Sequence, residues 1–432
     1  MHTYKYLLTT LFIFYASLAH AAPDSSLKLN SQDAVALALQ KNQSLMAARS
    51  AIEKAGAYSQ YAGRLDNPEL KLGYASDRTF NGEGERSYSI GFEQRFPITK
   101  RLKLLKNVSA IEVKLAEAEL RDQERLLIRD IESAVELISS LNQRLSLLDG
   151  MIRLQEGFAV FLEKRIESGE ASTLDLNQVR VSVFAAKQEI QNLTKQRDGA
   201  LGTLRSLLAL EPGAELEILA NQTRALSLPQ MPALEGEVLQ SHPEYQLKAS
   251  LVEIARGQTS LAKANRWADV AVEVFFEEER AVDEPSGVER DRFFGIGVSI
   301  PLPLHDNNRG EIEASRFREQ QIRYELNAVS LRLKNEAETL RRNAEATYRQ
   351  ITKYKESAVG LVEQNLEDIN NAYAQGQVDL GEVFRVQEQH LNIQTAQLEL
   401  LHELEQILIE WRAATGNNLP NPSTGELSYE TE

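Results

Sequence analysis

The sequence predicts a mostly α-helical chain with a small β part, built twice over within one polypeptide. Three observations carry this. Apolar residues recur at alternating spacings of three and four over long stretches, two pairs of short period-two segments lie about 200 residues apart, and a helix-breaking glycine recurs at the same place in each half. With 432 residues and 42% hydrophobic content, the chain has ample material for a sizeable core.

At the N-terminus, "MHTYKYLLTTLFIFYASLAHA" (residues 1–21) has a basic start at Lys5, an apolar stretch from Tyr6 to Leu18, and small residues at Ala19 and Ala21. This predicts a secretory signal peptide cleaved after Ala21, too short to span a bilayer. No later segment reaches 18 consecutive apolar residues, so any membrane crossing falls to strands. Cysteine is absent, which excludes disulfides, thiolate metal sites and the cysteine a lipoprotein would need. An exported chain without disulfides fits a periplasmic or outer-membrane address. The net charge of -15 argues against a nucleic-acid partner, because such binding rests on neutralising phosphates with Lys and Arg.

The first repeat, 22–232, begins with a helix containing "NQSLMAARSAIEKAGAY" from Asn42. Its counterpart in the second repeat, 233–416, is "HPEYQLKASLVEIARGQ" from His242, with Ile52 matching Val252, Glu53 matching Glu253 and Ala55 matching Ala255. A β-hairpin is expected over 69–95, where Leu70, Leu72 and Tyr74, then Tyr88, Ile90 and Phe92, alternate with small or charged residues. A second is expected over 268–300, with Val270, Val272, Val274 and Phe276 followed by Phe294, Ile296, Val298 and Ile300. The connections "DRTFNGEGER" and "RAVDEPSGVERD" are polar and turn-rich, and Pro97 and Pro301 close the two hairpins.

From Pro97 to the first break no proline occurs, which as helix spans roughly 100 Å at 1.5 Å per residue. Ile131, Ile138, Leu145, Ile152 and Ile166, interleaved with Leu127, Ala134, Leu141, Leu148 and Leu162, form a coiled-coil seam. Beyond the break the seam resumes with Leu176, Val179, Val183, Ala186, Ile190 and Leu193. The second half repeats it from Val383 and Val386 through His390, Ile393 and Gln397 to Leu400, Leu404, Ile407 and Trp411. Each half therefore reads helix, strand, strand, long helix, break, helix, with tip turns at 168–173 and 375–380 and a C-terminal tail at 417–432.

Four strands cannot close a membrane barrel, because unpaired edges in lipid leave backbone groups unsatisfied. Two copies would pool eight strands, with a filled interior; three would give 12 and an open lumen. Three copies suit the Glu, Lys, Ser and Gly on the faces opposite the apolar ones. The alternative is a soluble periplasmic coiled coil whose hairpins form a small sandwich.

This ordered set resembles the outer-membrane efflux channels of the TolC type, from about Leu29 to Gly416. "GEASTLDLNQVR" and "GQVDLGEVFRVQ" look like the turns joining that family's long helices, and "FEQRFPITKRLKL" is similar to its heavy-metal (Czc/Cus-like) branch. The resemblance implies a homotrimer in which a 12-stranded transmembrane β-barrel is continued by a long coiled-coil α-helical barrel. That duct would lie in the outer membrane of a Gram-negative bacterium and extend into the periplasm. It would work as a passive exit duct of a tripartite efflux pump, with a periplasmic adaptor protein and an inner-membrane pump of the RND type. A type I secretion outlet for polypeptides remains the rival within transport, and a soluble periplasmic adaptor or scaffold the rival outside it.

The breaks have a local reading and a functional one. Gly169 and Gly376 suit helix C-termini in the left-handed conformation. Ser172 with Asp175, and Asp379 with Glu382, have the spacing of capping boxes that restart the helices. If three chains converge there, Asp175 and Glu382 make up to six carboxylates around one opening, an arrangement that favours cations. The resemblance places a gating acid at Glu382; a second family acid three residues on is replaced by Arg385, with Gln178 at the first-repeat equivalent. Arg385 would then pair with Glu382 and hold the tip shut. The resemblance also assigns adaptor docking to the tip residues Gly169, Glu170, Ala171, Ser172, Gly376, Gln377, Val378 and Asp379. A basic cluster, Lys100, Arg101, Lys103 and Lys106, falls where strands give way to helix, as a lipid-headgroup contact or a solvated face.

His242, His305 and His390 show no metal-ligand spacing; His242 precedes a proline, His305 lies in a turn and His390 falls on the seam. No nucleotide-binding loop or nucleophile elbow occurs. The sequence thus predicts no metal site, no cofactor and no catalytic residue.

Overall fold

The computed structural model describes residues 27–79, 82, 84–169, 171–219, 227–283, 287–356 and 360–419. Residues 1–21, which the sequence predicts as a signal peptide, Glu170 and positions 420–432 of the tail lie outside them. In chain order the elements are β1 (Leu27–Leu29), α1 (Ser31–Lys41), α2 (Gln43–Tyr61), β2 (Glu69–Ser76), β3 (Arg86–Phe96), α3 (Arg101–Glu167), α4 (Thr173–Leu207) and β4 (Leu216–Ile218). There follow α5 (Gly236–Ser241), α6 (Pro243–Ala264), β5 (Val270–Asp283), β6 (Gly287–Ser299), α7 (Arg309–Tyr354), α8 (Gly360–Ala374) and α9 (Leu380–Thr415).

Local chemistry sets the helix starts. Asn30 caps α1 in a capping box with Asp33, and Asn42 caps α2, its Oδ1 accepting from the Ser44 amide at 2.9 Å. His242 caps α6: its Nδ1 accepts from the Glu244 amide at 3.2 Å, and Pro243 occupies the first helical position, where a missing N–H costs nothing. With no proline to break it, α3 runs for 67 residues, about 100 Å at 1.5 Å per residue. Its seam is buried as its period requires: Ile131 and Leu162 are fully enclosed, with Leu127, Ala134, Ile138, Leu141, Leu148 and Ile152 close behind.

The helical body has successive packing centres rather than one core. Ala34, Ala38 and Leu45 meet Ile131, Ile138, Leu204 and the short parallel pair β1–β4 in one cluster. Leu141, Leu148 and Leu193 make a second between α3 and α4, and Ala344, Ile351, Leu404 and Leu408 a third between α7 and α9. A long helix needs such serial contacts, since each turn can bury only its own stripe. In the second half the described helix lies in two stretches. There α7 spans 46 residues, continues into a π-helical turn at 355–356, and α8 begins at Gly360, a residue type poor in helix propensity.

The four hairpin strands form one antiparallel sheet in the order β2-β3-β5-β6. The two hairpins are thus joined by the β3–β5 ladder, which runs from Arg86 opposite Arg280 to Phe96 opposite Val270. One face carries Leu70, Leu72, Phe92, Phe276, Phe294 and Ile296, all exposed in the single chain. The other carries charge: Lys71 pairs with Glu93 and, at 3.3 Å, with Glu273 from the opposite hairpin. β2 and β6 are the sheet edges.

Candidate functional site

The two breaks come together at the end of the helical body remote from the sheet. At the first, Gly169 adopts φ 79°, with its amide donating to the Ile166 carbonyl at 3.0 Å. At the second, Gly376 adopts φ 73°, and the Gln377 amide reaches back to the Ala372 carbonyl at 2.9 Å, a Schellman-type closure. Nothing within 4 Å crowds a side chain at either glycine, so the backbone angle alone requires glycine there.

The restarts differ. Ser172 completes its capping box: Oγ accepts from the Leu174 amide at 3.1 Å, and Asp175 Oδ2 accepts from the Ser172 amide at 3.4 Å. In the second turn Asp379 Oδ1 accepts from the Glu382 amide at 2.9 Å, but the Glu382 carboxylate accepts from Arg385 Nη2 at 3.1 Å instead of returning to the cap. The second expected capping box is therefore half formed. A guanidinium one turn along the helix takes the carboxylate, since it adds the attraction of a full positive charge where the cap amide offers only a partial one.

Beneath the turns, Leu162, Leu176 and Val179 pack with Tyr373, Leu380 and Val383, and Ala171 and Val378 close over them. Ala171 and Val378 are thus half-buried supports, whereas Gly169, Ser172, Gly376, Gln377 and Asp379 are exposed. Asp175 and Glu382 are partly buried and Arg385 is exposed. Gln178, also exposed, makes no acidic ring with them.

Sequence reasoning missed the aromatic group that welds the tip. The Tyr373 ring lies 5.2 Å from Phe158 and 6.4 Å from Phe161, with the Arg165 guanidinium over Phe161 at 5.7 Å and over Tyr373 at 6.0 Å. Burial raises the Tyr373 phenol, the Asp175 charge raises it further, and Arg165 opposes both. The only sequence signal was an aromatic three residues before Gly376, which has no meaning until its partners on α3 are placed.

Other candidates resolve differently. Arg101 ion-pairs with Asp269 at 2.5 Å and lies 3.7 Å from Asp66, so it ties α3 to the approach of β5 and is not free for lipid; Lys100, Lys103 and Lys106 are exposed. His242 is buried, His305 exposed and His390 half-buried on the seam, where Gln387 takes the buried position. Among the described residues no cluster of three or more metal-ligating side chains occurs, and no helix is long and apolar enough to cross a membrane.

Residues 34–210 match the family model described as outer membrane efflux protein. A sequence relative, the cobalt-zinc-cadmium resistance protein CzcC of Cupriavidus metallidurans, is 24% identical over 309 residues, 70% of each chain. Over residues 34–210 the chain is thus similar to the outer membrane efflux protein family. Solved channels of this architecture share the fold. CusC superposes with a TM-score of 0.74 at 17% identity, covering 90% of this chain and 92% of that one. VceC of Vibrio cholerae gives 0.72 at 18%, covering 89% and 96%. Members of the outer membrane efflux protein family are outer-membrane proteins of Gram-negative bacteria that act as efflux ducts, working as homotrimers with adaptor and inner-membrane pump partners.

Proposed function

We propose that three copies of this chain build the outer-membrane exit duct of a tripartite efflux pump, with heavy-metal cations as cargo. The carrying observation is the sheet. It is apolar on one face, charged on the other, open at β2 and β6, and set at one end of a helix about 100 Å long. A sheet open at both edges cannot rest in lipid alone, because each unpaired backbone group costs several kcal/mol there. Three such sheets joined edge to edge give 12 strands, enough for a lumen, and place the Lys71, Glu93 and Glu273 face inside it.

On this reading the repeats 22–232 and 233–416 are the two halves of each protomer, and residues 1–21 direct export. The exposed turn residues dock the periplasmic adaptor, while Asp175, Glu382 and Arg385 line the periplasmic gate. The relation to CzcC supports divalent metal cargo. The duct's own residues supply no chemistry beyond a path, so the driving energy comes from an RND-type pump in the inner membrane.

Fractionation tests the duct. The mature protein should remain with outer membranes and run as a heat-modifiable trimer; recovery as a soluble monomer in osmotic-shock fluid would favour the periplasmic scaffold. Cargo is tested by deleting the chain and measuring cobalt, zinc and cadmium accumulation beside polypeptide export. Unchanged metal with blocked export would favour the secretion outlet.

A further inference from the structure

On the apolar face of the sheet, residues opposite one another form transverse rows. Moving away from the helices, one row is Leu70, Phe92, Val274 and Ile296; the next is Leu72, Ile90, Phe276 and Phe294; the third is Tyr74, Tyr88, Glu278 and Arg292. The fourth is Ser76, Arg86, Arg280 and Arg290. Three guanidiniums on neighbouring strands thus stand side by side on one face.

Like charges directly opposite one another destabilise a sheet. The nearby Glu278 does not relieve this row, because its carboxylate accepts from Arg292 Nε at 3.0 Å. Among the described residues Arg86, Arg280 and Arg290 have no carboxylate partner; Arg86 lies over the Tyr88 ring at 5.9 Å, and Arg280 Nε is buried without a hydrogen bond. The opposite face of the same strands carries Glu277, Glu279, Glu289 and Asp291. At this end of the sheet, the Glu278–Arg292 pair apart, acids and arginines lie on opposite faces, which a merely solvated rim would not need.

The depth of the row fits a headgroup. From Phe96 to Tyr88 this face of β3, apolar except at Gln94, covers about 27 Å along the strand, about 20 Å after barrel tilt, close to the ~25 Å apolar band of outer-membrane barrels. Tyr74 and Tyr88, 5.1 Å apart, then stand where an aromatic girdle belongs, and the arginines lie about 7 Å further along the strands. Guanidiniums bind phosphate through paired N–H donors.

We propose that Arg86, Arg280 and Arg290 form a binding site for the phosphate groups of a phosphorylated glycolipid in the outer leaflet. This rests on the outer-membrane barrel reading, which turns the apolar face to lipid and the hairpin ends to the cell exterior. Three copies would place three such rows around the barrel, each outside an acidic wall.

The test uses the full mature chain purified in detergent and titrated with bisphosphorylated lipid A, with its phosphate-free form and with inorganic phosphate. Bisphosphorylated lipid A should bind about tenfold more tightly than the phosphate-free form, and the combined Arg86→Gln, Arg280→Gln, Arg290→Gln variant should lose about that factor. The corresponding triple lysine variant, which keeps the charge, should stay within about threefold of wild type and so controls for folding. Equal affinity of the wild-type and glutamine proteins would overturn the site. So would full competition by inorganic phosphate, which would leave a free-anion site without lipid recognition. Fractionation separates the two claims: outer-membrane protein without phosphate-dependent binding refutes the arginine site alone, whereas protein absent from outer membranes refutes the barrel beneath it.

Discussion

Arg385 engages the Glu382 carboxylate at 3.1 Å, and that contact takes from the second helix turn the reciprocal cap that Asp175 gives Ser172 in the first. Both turns pass through a left-handed glycine and restart from a side-chain cap, but their electrostatics differ: one acid is spent on its own helix start, the other held by a cation.

This asymmetry predicts unequal effects on conduction. Arg385→Ala should change stability by less than about 1 kcal/mol, because the pair lies at the surface and solvent screens it. In planar bilayers, however, it should raise open probability and cation preference by freeing Glu382. Glu382→Gln combined with Asp175→Asn should lower cation preference; single-channel reversal potentials that stay at the wild-type value would reduce Asp175 to a helix cap and Glu382 to an ion-pair partner of Arg385.

The caps and glycines should register in stability. Ser172→Ala and Asp379→Ala each remove a side-chain acceptor from a helix start and should cost about 1 kcal/mol. Gly376→Ala forces a side chain into φ 73° and should cost about 1 kcal/mol as well. Thermal unfolding in detergent reads all three, and a Gly376→Asn protein should recover part of the loss.

Arg125 links three elements near the end of α9. It pairs with Asp122 at 2.8 Å and donates to the Ala413 carbonyl at 3.0 Å, and its own carbonyl accepts from Asn418 Nδ2 at 2.8 Å. Arg125→Met would strand a partly buried aspartate and remove one of the two donors to the Ala413 carbonyl, the other being the Gly416 amide, so a loss of about 3 kcal/mol is expected. Limited proteolysis should then cut first near residue 413.

His242 gives a pH signature. Burial, aided by the Arg125 charge, pushes its imidazole down to about 4, whereas the unfolded chain titrates near its usual value of about 6.5. The unfolded state therefore binds more protons between these values, so stability is constant above pH ~6.5 and falls as pH drops towards ~4, by about 3 kcal/mol in all. His242→Asn keeps an acceptor at the cap without a titrating group. Its denaturation midpoint should lose most of this slope; a slope equal to wild type would assign the effect elsewhere.

What could be read beforehand follows from range. The seam through Ile131, Ile138 and Leu162 and the alternation through Leu70, Leu72 and Tyr74 are local periods, and both appear where expected. The Asp379–Glu382 box was misread because spacing permits the reciprocal bond without saying whether Arg385 takes the carboxylate first. Tyr373 and the Arg86, Arg280, Arg290 row were invisible because each depends on partners far away in sequence: α3 for the ring, and the β3–β5–β6 register for the arginines.

The ladder between β3 and β5 has a mechanical consequence. Eleven consecutive residue pairs, Arg86–Phe96 against Val270–Arg280, bolt the two hairpins into a single rigid plate. The protomer then behaves like tongs with a fixed hinge: widening at the glycine turns has to come from flexing or sliding of the long shafts, while the sheet end keeps its width.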